Sequence, residues 1–394
     1  MASPSPSQSA PSPALIFVFA LACGVTVANL YYAQPLIGAI GESLNLSVEA
    51  SALVVTTLQL GYVAGLVFLV PLGDLIENRK LILLVLGSLV ASCLAASVSP
   101  NAAVFIACCL LVGLGTTATQ MLVPLAAHLS PEKKRGQIVG TVMSGLLVGI
   151  LIARPFSTLV AGVVGWRGMF VISAAAGAAV IAMLAAMLPR HTPKAGLNYR
   201  TLLSSLWPLL RDTKVLQRRA FYQACMFGAF SLYWTSIPLV LQQPPFSFGH
   251  VALSLFMLSG VAGAFVAPAA GWLADHGYSG PATAGAFAAT ALCFVLAYFG
   301  TYSIALLVLA GIVLDAGVQS HVVIGQRAIY SLAPQIRSRL NAIYLSLFFL
   351  GGALGSALSG LAFARGGLAL ICVIGLCFPA AAAIVFATEF LRRK

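Results

Sequence analysis

Twelve apolar runs set the terms for this chain: 14–40, 49–72, 80–99, 102–128, 137–162, 167–189, 219–242, 249–272, 280–300, 302–326, 340–364 and 367–390. A helix needs about 20 apolar residues to cross the hydrocarbon of a bilayer, and each run supplies them. A backbone amide finds no water inside lipid, so such a segment closes its own hydrogen bonds as a helix. Only 8% of the residues are charged, against roughly a quarter in soluble domains, too few to cover a water-facing surface. The sequence predicts an all-α integral membrane protein with twelve transmembrane helices, its surrounding partner being the lipid bilayer.

The formal charge of +12 is spread over short loops. It does not gather into a basic domain, so no nucleic-acid partner is expected. Loops after even-numbered spans carry Arg79, Lys80, Lys133, Lys134, Arg135, Arg337, Arg339 and most other cations, and the C-terminus adds Arg392, Arg393 and Lys394. Loops after odd-numbered spans carry only Arg167 and Arg365. The positive-inside rule then puts both termini in the cytoplasm. Residues 1–13, rich in Ser and Pro, read as a disordered tail. The longest connection, 190–218, repeats Tyr199, Leu202, Leu206 and Leu210 at helical spacing among basic residues, the pattern of an amphipathic helix on a membrane face. It links two six-span bundles, 14–189 and 219–394. The cysteines fall inside apolar runs without zinc-ligand spacing. No Walker A loop and no catalytic constellation is visible, so neither an enzyme, a metal nor a cofactor is expected.

Two loops recur at half-length. Pro71-Leu-Gly-Asp-Leu-Ile-Glu-Asn-Arg-Lys80 is echoed by Gly271-Trp-Leu-Ala-Asp-His-Gly277, and Leu129-Ser-Pro-Glu-Lys-Lys-Arg-Gly136 by Leu332-Ala-Pro-Gln-Ile-Arg-Ser-Arg339. Two independent matches argue for a duplicated six-plus-six chain, a known way to build secondary transporters. Only Arg154, in the fifth span, and Asp315, in the tenth, are charged residues well inside a span. Charges at that depth need a reason. Asp315 either loads and releases a coupling proton or pairs permanently with Arg154. Asp74 and Asp275, at helix ends, are candidate latches together with Gly73, Arg79, Lys80 and Gly271. His321, about 240° round the helix from Asp315, reads as a packing or hydrogen-bonding residue.

Over essentially its whole length the chain resembles the major facilitator superfamily, whose loop signature reads roughly G-x-L-A-D-R-x-G-R-K. Gly271, Leu273, Ala274 and Asp275 match its first half, and Gly73, Asp74, Arg79 and Lys80 match it in part. Asn29-Leu-Tyr-Tyr-Ala-Gln-Pro35, Gly140-Thr-Val-Met-Ser-Gly145 and Leu314-Asp-Ala-Gly-Val-Gln319 resemble the bacterial drug:proton antiporters and arabinose-type effluxers. Cys109 stands where those antiporters carry Arg, and Ala153-Arg154-Pro155 replaces their Gly-Pro. The resemblance implies two pseudo-symmetric six-helix bundles and a cavity lined by the first, fourth, seventh and tenth spans. Helical spacing then nominates Asn29 and Tyr32; Thr116, Thr119 and Gln120; Gln223, Phe227, Phe230 and Trp234; and Asp315 with Gln319. Such a lining suits a small amphipathic ligand. The leading expectation is a monomeric proton-coupled exporter of a small organic molecule in a bacterial inner membrane. The alternatives are a sugar or organic-anion permease with Arg154 as anion ligand, and a sensor or scaffold that does not transport.

Overall fold

The computed structural model describes residues 11–193, 198–332 and 336–391, and every regular element among them is a helix. Most of the expected N-terminal tail, Lys194, part of the second loop echo and the C-terminal Arg392, Arg393 and Lys394 lie outside the described residues. Nine helices among the described residues are long and apolar enough to span a membrane. Two of them, Glu132–Met187 with 56 residues and Arg337–Glu389 with 53, are double length. Each is broken once, at Gly165 (φ 73°) and at Gly367 (φ 56°). An L side chain rarely adopts positive φ, so glycine allows two spans to reverse there with no intervening loop. With the shorter Pro13–Ala28 the count reaches twelve.

Helix starts follow local chemistry. Ser12, Ser47, Asn101 and Ser303 each accept a hydrogen bond from the backbone N–H three residues on, which occupies an otherwise orphaned donor. Three spans are less regular than their apolar runs suggest. The first leaves the helix after Ala28, passes through turns to a 3-10 segment at Gln34–Leu36, and resumes as Ile37–Ser43. There Asn29 Nδ2 donates to the carbonyls of Val25 and Thr26, and its backbone N–H also reaches the Thr26 carbonyl, which closes the helix end. The fourth span is split at Thr117 into Ala102–Thr116 and Ala118–Leu129. The eighth falls into His250–Met257, Ser259–Ala264 and Ala267–Asp275.

Packing sorts the spans into two groups of six. The first span lies on the fifth, and the second on the fourth; the seventh lies on the eleventh, and the ninth on the tenth. The second and fourth spans touch backbone to backbone. A Cβ on Gly61 would fall on the Leu110 carbonyl, and one on Gly113 on the Leu58 carbonyl. Contact of this kind lets van der Waals attraction hold helices together where lipid offers no hydrophobic drive. Between the groups, the second span packs on the eleventh and the fifth on the eighth. Thr56 Oγ1 lies 2.9 Å from Ser356 Oγ, Gln59 Nε2 donates to Ser231 Oγ at 2.8 Å, and Ser254 Oγ donates to the Pro155 carbonyl at 2.9 Å. The Tyr199–Asp212 helix joins the groups; it buries Leu202, turns Trp207 outward and donates from Tyr199 Oη to the Phe68 carbonyl.

Candidate functional site

The two intramembrane charges lie against one side chain where the six-span groups face one another. Arg154 sits one residue before Pro155, whose nitrogen cannot donate. Both Ser157 and Thr158 return their hydroxyls to the Arg154 carbonyl, and Ser254 of the opposite group holds the Pro155 carbonyl. This fixes the backbone that carries the guanidinium. Its Cζ lies 4.2 Å from the Trp234 ring centroid, 5.0 Å from Phe230 and 5.8 Å from Tyr31, and only 3% of the residue is exposed. Desolvated cation–π contact of this kind is worth about 2 kcal/mol. Trp234 turns its Nε1–H to Asp315, donating to Oδ1 at 2.7 Å, and Asp315 is 2% exposed. One indole thus holds both groups, the guanidinium over its face and the carboxylate at its Nε1 edge, and the two make no direct salt bridge. Arg154 Nε and Nη1 have no hydrogen-bond partner.

A chain of contacts connects this cage to a cavity open at one end of the bundle. That cavity, about 610 Å³, opens at the end of the bundle where Asp74, Asn78, His191 and Arg339 lie, and Gln120 is among its lining residues. Gln120 Nε2 donates to Tyr62 Oη at 3.0 Å, and Tyr62 packs on Phe349 of the other group with centroids 4.5 Å apart. Phe227 continues the series, stacked on Phe348 at 4.1 Å and on Phe230 at 5.1 Å, which brings it to Arg154. At the opposite end lies a hollow of about 420 Å³ near Glu42, Gln242 and His250. Leu239 is shared between it and a small apolar cluster with Ile37 and Val55.

Of the residues nominated from the sequence, Arg154, Asp315, Trp234, Phe230, Phe227 and Gln120 are joined by these contacts. Others lie elsewhere. Asn29 points into its own bundle, where its Oδ1 accepts from Ser173 Oγ at 2.5 Å. Tyr32 is half-buried beside Phe156, 6.4 Å away, and Tyr31 takes the place by Arg154. The turns at 29–33 shift the register on which the face assignment rests. Thr116 donates to the Val112 carbonyl, Thr119 is buried with its hydroxyl unpaired, and Gln319 is half-buried. Gln223 is wholly buried with its Oε1 2.6 Å from His321 Nδ1. Tyr31, Gln59, Tyr62, Ser231, Phe348 and Phe349 were not nominated. The second and eleventh spans lie outside the expected lining, although the paired phenylalanines of the eleventh are visible in the sequence.

The two recurrent loops differ in geometry. Asp74 stands exposed at the cavity mouth, facing Arg339 electrostatically across the two groups, and Arg339 Nη1 donates to Ser205 Oγ of the connecting helix at 3.2 Å. Gly73 shares that mouth. Arg79 donates to the Ala185 carbonyl, while Lys80 pairs with Glu77 at 3.6 Å. In the second copy Asp275 pairs with Arg327, whose Nη1 also reaches the Gly271 carbonyl, so that latch closes within one bundle. At the mouth the rings of His128 and His191 lie 4.2 Å apart. Partial burial, with His128 adding to it, holds His191 below the usual imidazole range. Among the described residues no group of three or more His, Cys, Asp or Glu could hold a metal ion.

Comparison with known proteins follows the geometry. Residues 16–323 match the sequence model of the Major Facilitator Superfamily. An uncharacterized transporter of Escherichia coli, YgaY, is 39% identical over 97% of each chain. A probable transporter of Streptomyces coelicolor is 33% identical over 94% of this chain and 87% of its own. The crystal structure of the nucleoside transporter NupG superposes with a TM-score of 0.71 at 16% identity, covering 96% of this chain and 98% of that one.

Proposed function

Since this chain belongs to the Major Facilitator Superfamily and is a multi-pass membrane transporter, not an enzyme, we propose that it exports a small amphipathic organic compound in exchange for protons. The observation that carries this reading is the cage itself. A base from one bundle and an acid from the other are buried against a single indole. Adding or removing a proton at Asp315 changes the net charge at the contact between bundles. A change of that kind favours one of two arrangements by its differential energy. Alternating access then exposes the cage through the 610 Å³ cavity on one side and, after the cross-bundle bonds of Thr56, Gln59 and Ser254 part, on the other.

In this scheme residues 14–189 and 219–394 are the rocking units and 190–218 the tether. Both termini and the larger cavity face the cytoplasm of a bacterial inner membrane, as the basic loops favour, and the protein works as a monomer. Asp74 with Arg339 bridges the cytoplasmic mouth when it closes. A second reading, carriage of an organic anion, is favoured by the unpartnered nitrogens of Arg154.

The test uses everted vesicles with a proton gradient reported by a quenched dye, given amphipathic cations, neutral antibiotics, sugars and organic acids. Some compound should collapse the gradient with wild-type protein and fail to do so with Asp315→Asn. Equal responses from the two proteins to every active compound would remove Asp315 from the coupling step.

A further inference from the structure

Resting on the antiport reading, we infer that the transported compound is a small zwitterion of the amino-acid type. Its carboxylate takes Arg154, its ammonium takes Asp315, and its apolar body lies on the phenylalanine stack. The inference starts from two charges that the protein leaves incompletely matched. Arg154 is 3% exposed, yet Nε and Nη1 donate to nothing. A buried guanidinium with unmade donors forgoes its strongest interactions, the charge-assisted bonds to carboxylate oxygens. Asp315 receives one neutral N–H, from Trp234, and no cation bonds to it.

The two groups would satisfy each other if they met, but they form no salt bridge: the Trp234 ring takes the guanidinium over its face and the carboxylate at its Nε1 edge. A ligand with a single charge would satisfy one of them and leave the other uncompensated. A ligand carrying both signs a few bonds apart serves both, in the order that the indole imposes. Because Arg154 belongs to the first bundle and Asp315 to the second, the same ligand also ties the bundles together. Its apolar part would lie along Phe227, Phe230 and Phe348, which stack on one another leading away from Arg154 and are buried in this conformation until the bundles part. Exchange stays balanced. The ammonium arrives as the proton leaves the Asp315 carboxyl, so each carboxylate oxygen pair holds one cation or the other.

The experiment uses the same everted vesicles, each response taken relative to vesicles without the protein, and three probes of one shape. These are phenylalanine, phenylalaninamide, which lacks the carboxylate, and 3-phenylpropionate, which lacks the ammonium. Phenylalanine should collapse the gradient, and each analogue should need about ten- to a hundredfold more for half effect, the size of a lost bond to a charged group. Arg154→Gln should erase the preference for phenylalanine over its amide, and Arg154→Lys should keep part of it. If the amide acts as well as the amino acid, the ligand is a cation and the inference fails while antiport stands. If phenylpropionate acts as well, the ligand is an anion and the inference again fails. If amphipathic cations collapse the gradient and none of the three probes does, the inference alone falls. Silence from every compound overturns both readings.

Discussion

Thr56→Val offers a direct measure of what holds the bundles closed at the end away from the large cavity. The Thr56 hydroxyl lies 2.9 Å from Ser356 Oγ and 3.5 Å from the Ala353 carbonyl, both across the bundle interface. Valine keeps the shape and removes the hydroxyl. Ser356 keeps its own bond to the Ala353 carbonyl at 3.0 Å, so no buried donor is stranded and the cost is that of one ordinary bond, about 0.5–1.5 kcal/mol. This corresponds to a rise of about two- to twelvefold in the population with that end open. Gln59→Leu is a different case. It removes a made bond, Nε2 to Ser231, together with an unmade one, since Gln59 Oε1 is buried without a partner. Losing the unsatisfied acceptor relieves a penalty similar to the one created at Ser231 Oγ, which is wholly buried and loses its bond to Gln59, so the net change should stay within about twofold. The reporter is a Val55→Cys thiol, buried beside Ile37 and Leu239, whose modification rate by a small maleimide follows the open fraction. A rate untouched by Thr56→Val, or raised more by Gln59→Leu than by Thr56→Val, would refute the reasoning.

Two further outcomes can be checked by simpler means. Gly61→Ala and Gly113→Ala should each cost about 1–3 kcal/mol as overpacking, but the double substitution little more than the worse single one, because either methyl alone pushes the same two helices apart; thermal melting reads this, with Gly87→Ala, which meets nothing within 4 Å, as the silent control. His191 titrates below the usual imidazole value of 6.5, so docking of the 190–193 segment is strongest above that pH and weakens as pH falls through the lowered value; hydrogen exchange of that segment, corrected for its intrinsic pH dependence, should quicken on acidification in wild type and stay flat in His191→Gln.

Much of this architecture was legible in the chain because lipid simplifies the problem. Apolar length fixes spans, and in the double-length helices the reversals fall at Gly165, in the gap between two apolar runs, and at Gly367, the first residue of the last run. Arg154 and Asp315 stood out because charge is so rare at that depth. What the periodicity could not give was rotation. A count of 100° per residue placed Asn29 and Tyr32 on the cavity, but Asn29 itself helps end the helix by capturing the carbonyls of Val25 and Thr26. The register after it belongs to a turn, and Tyr31 faces the guanidinium instead. Nor could one sequence show that Trp234 would touch both charged groups, since an indole at that spacing reads equally as core.

The indole shared by Arg154 and Asp315 also bears on leakage. With nothing bound, the carrier holds a guanidinium in a dry interface with two of its donors unmade, and an uncompensated ion in such surroundings costs several kcal/mol. Passing through a closed intermediate in that condition is slow, because the unmatched charge stays buried throughout. With ligand aboard the same passage is made by a neutralised site. On the antiport reading the return trip carries a proton on Asp315 in place of cargo, and that trip, with Arg154 unmatched, is the slower half of the cycle.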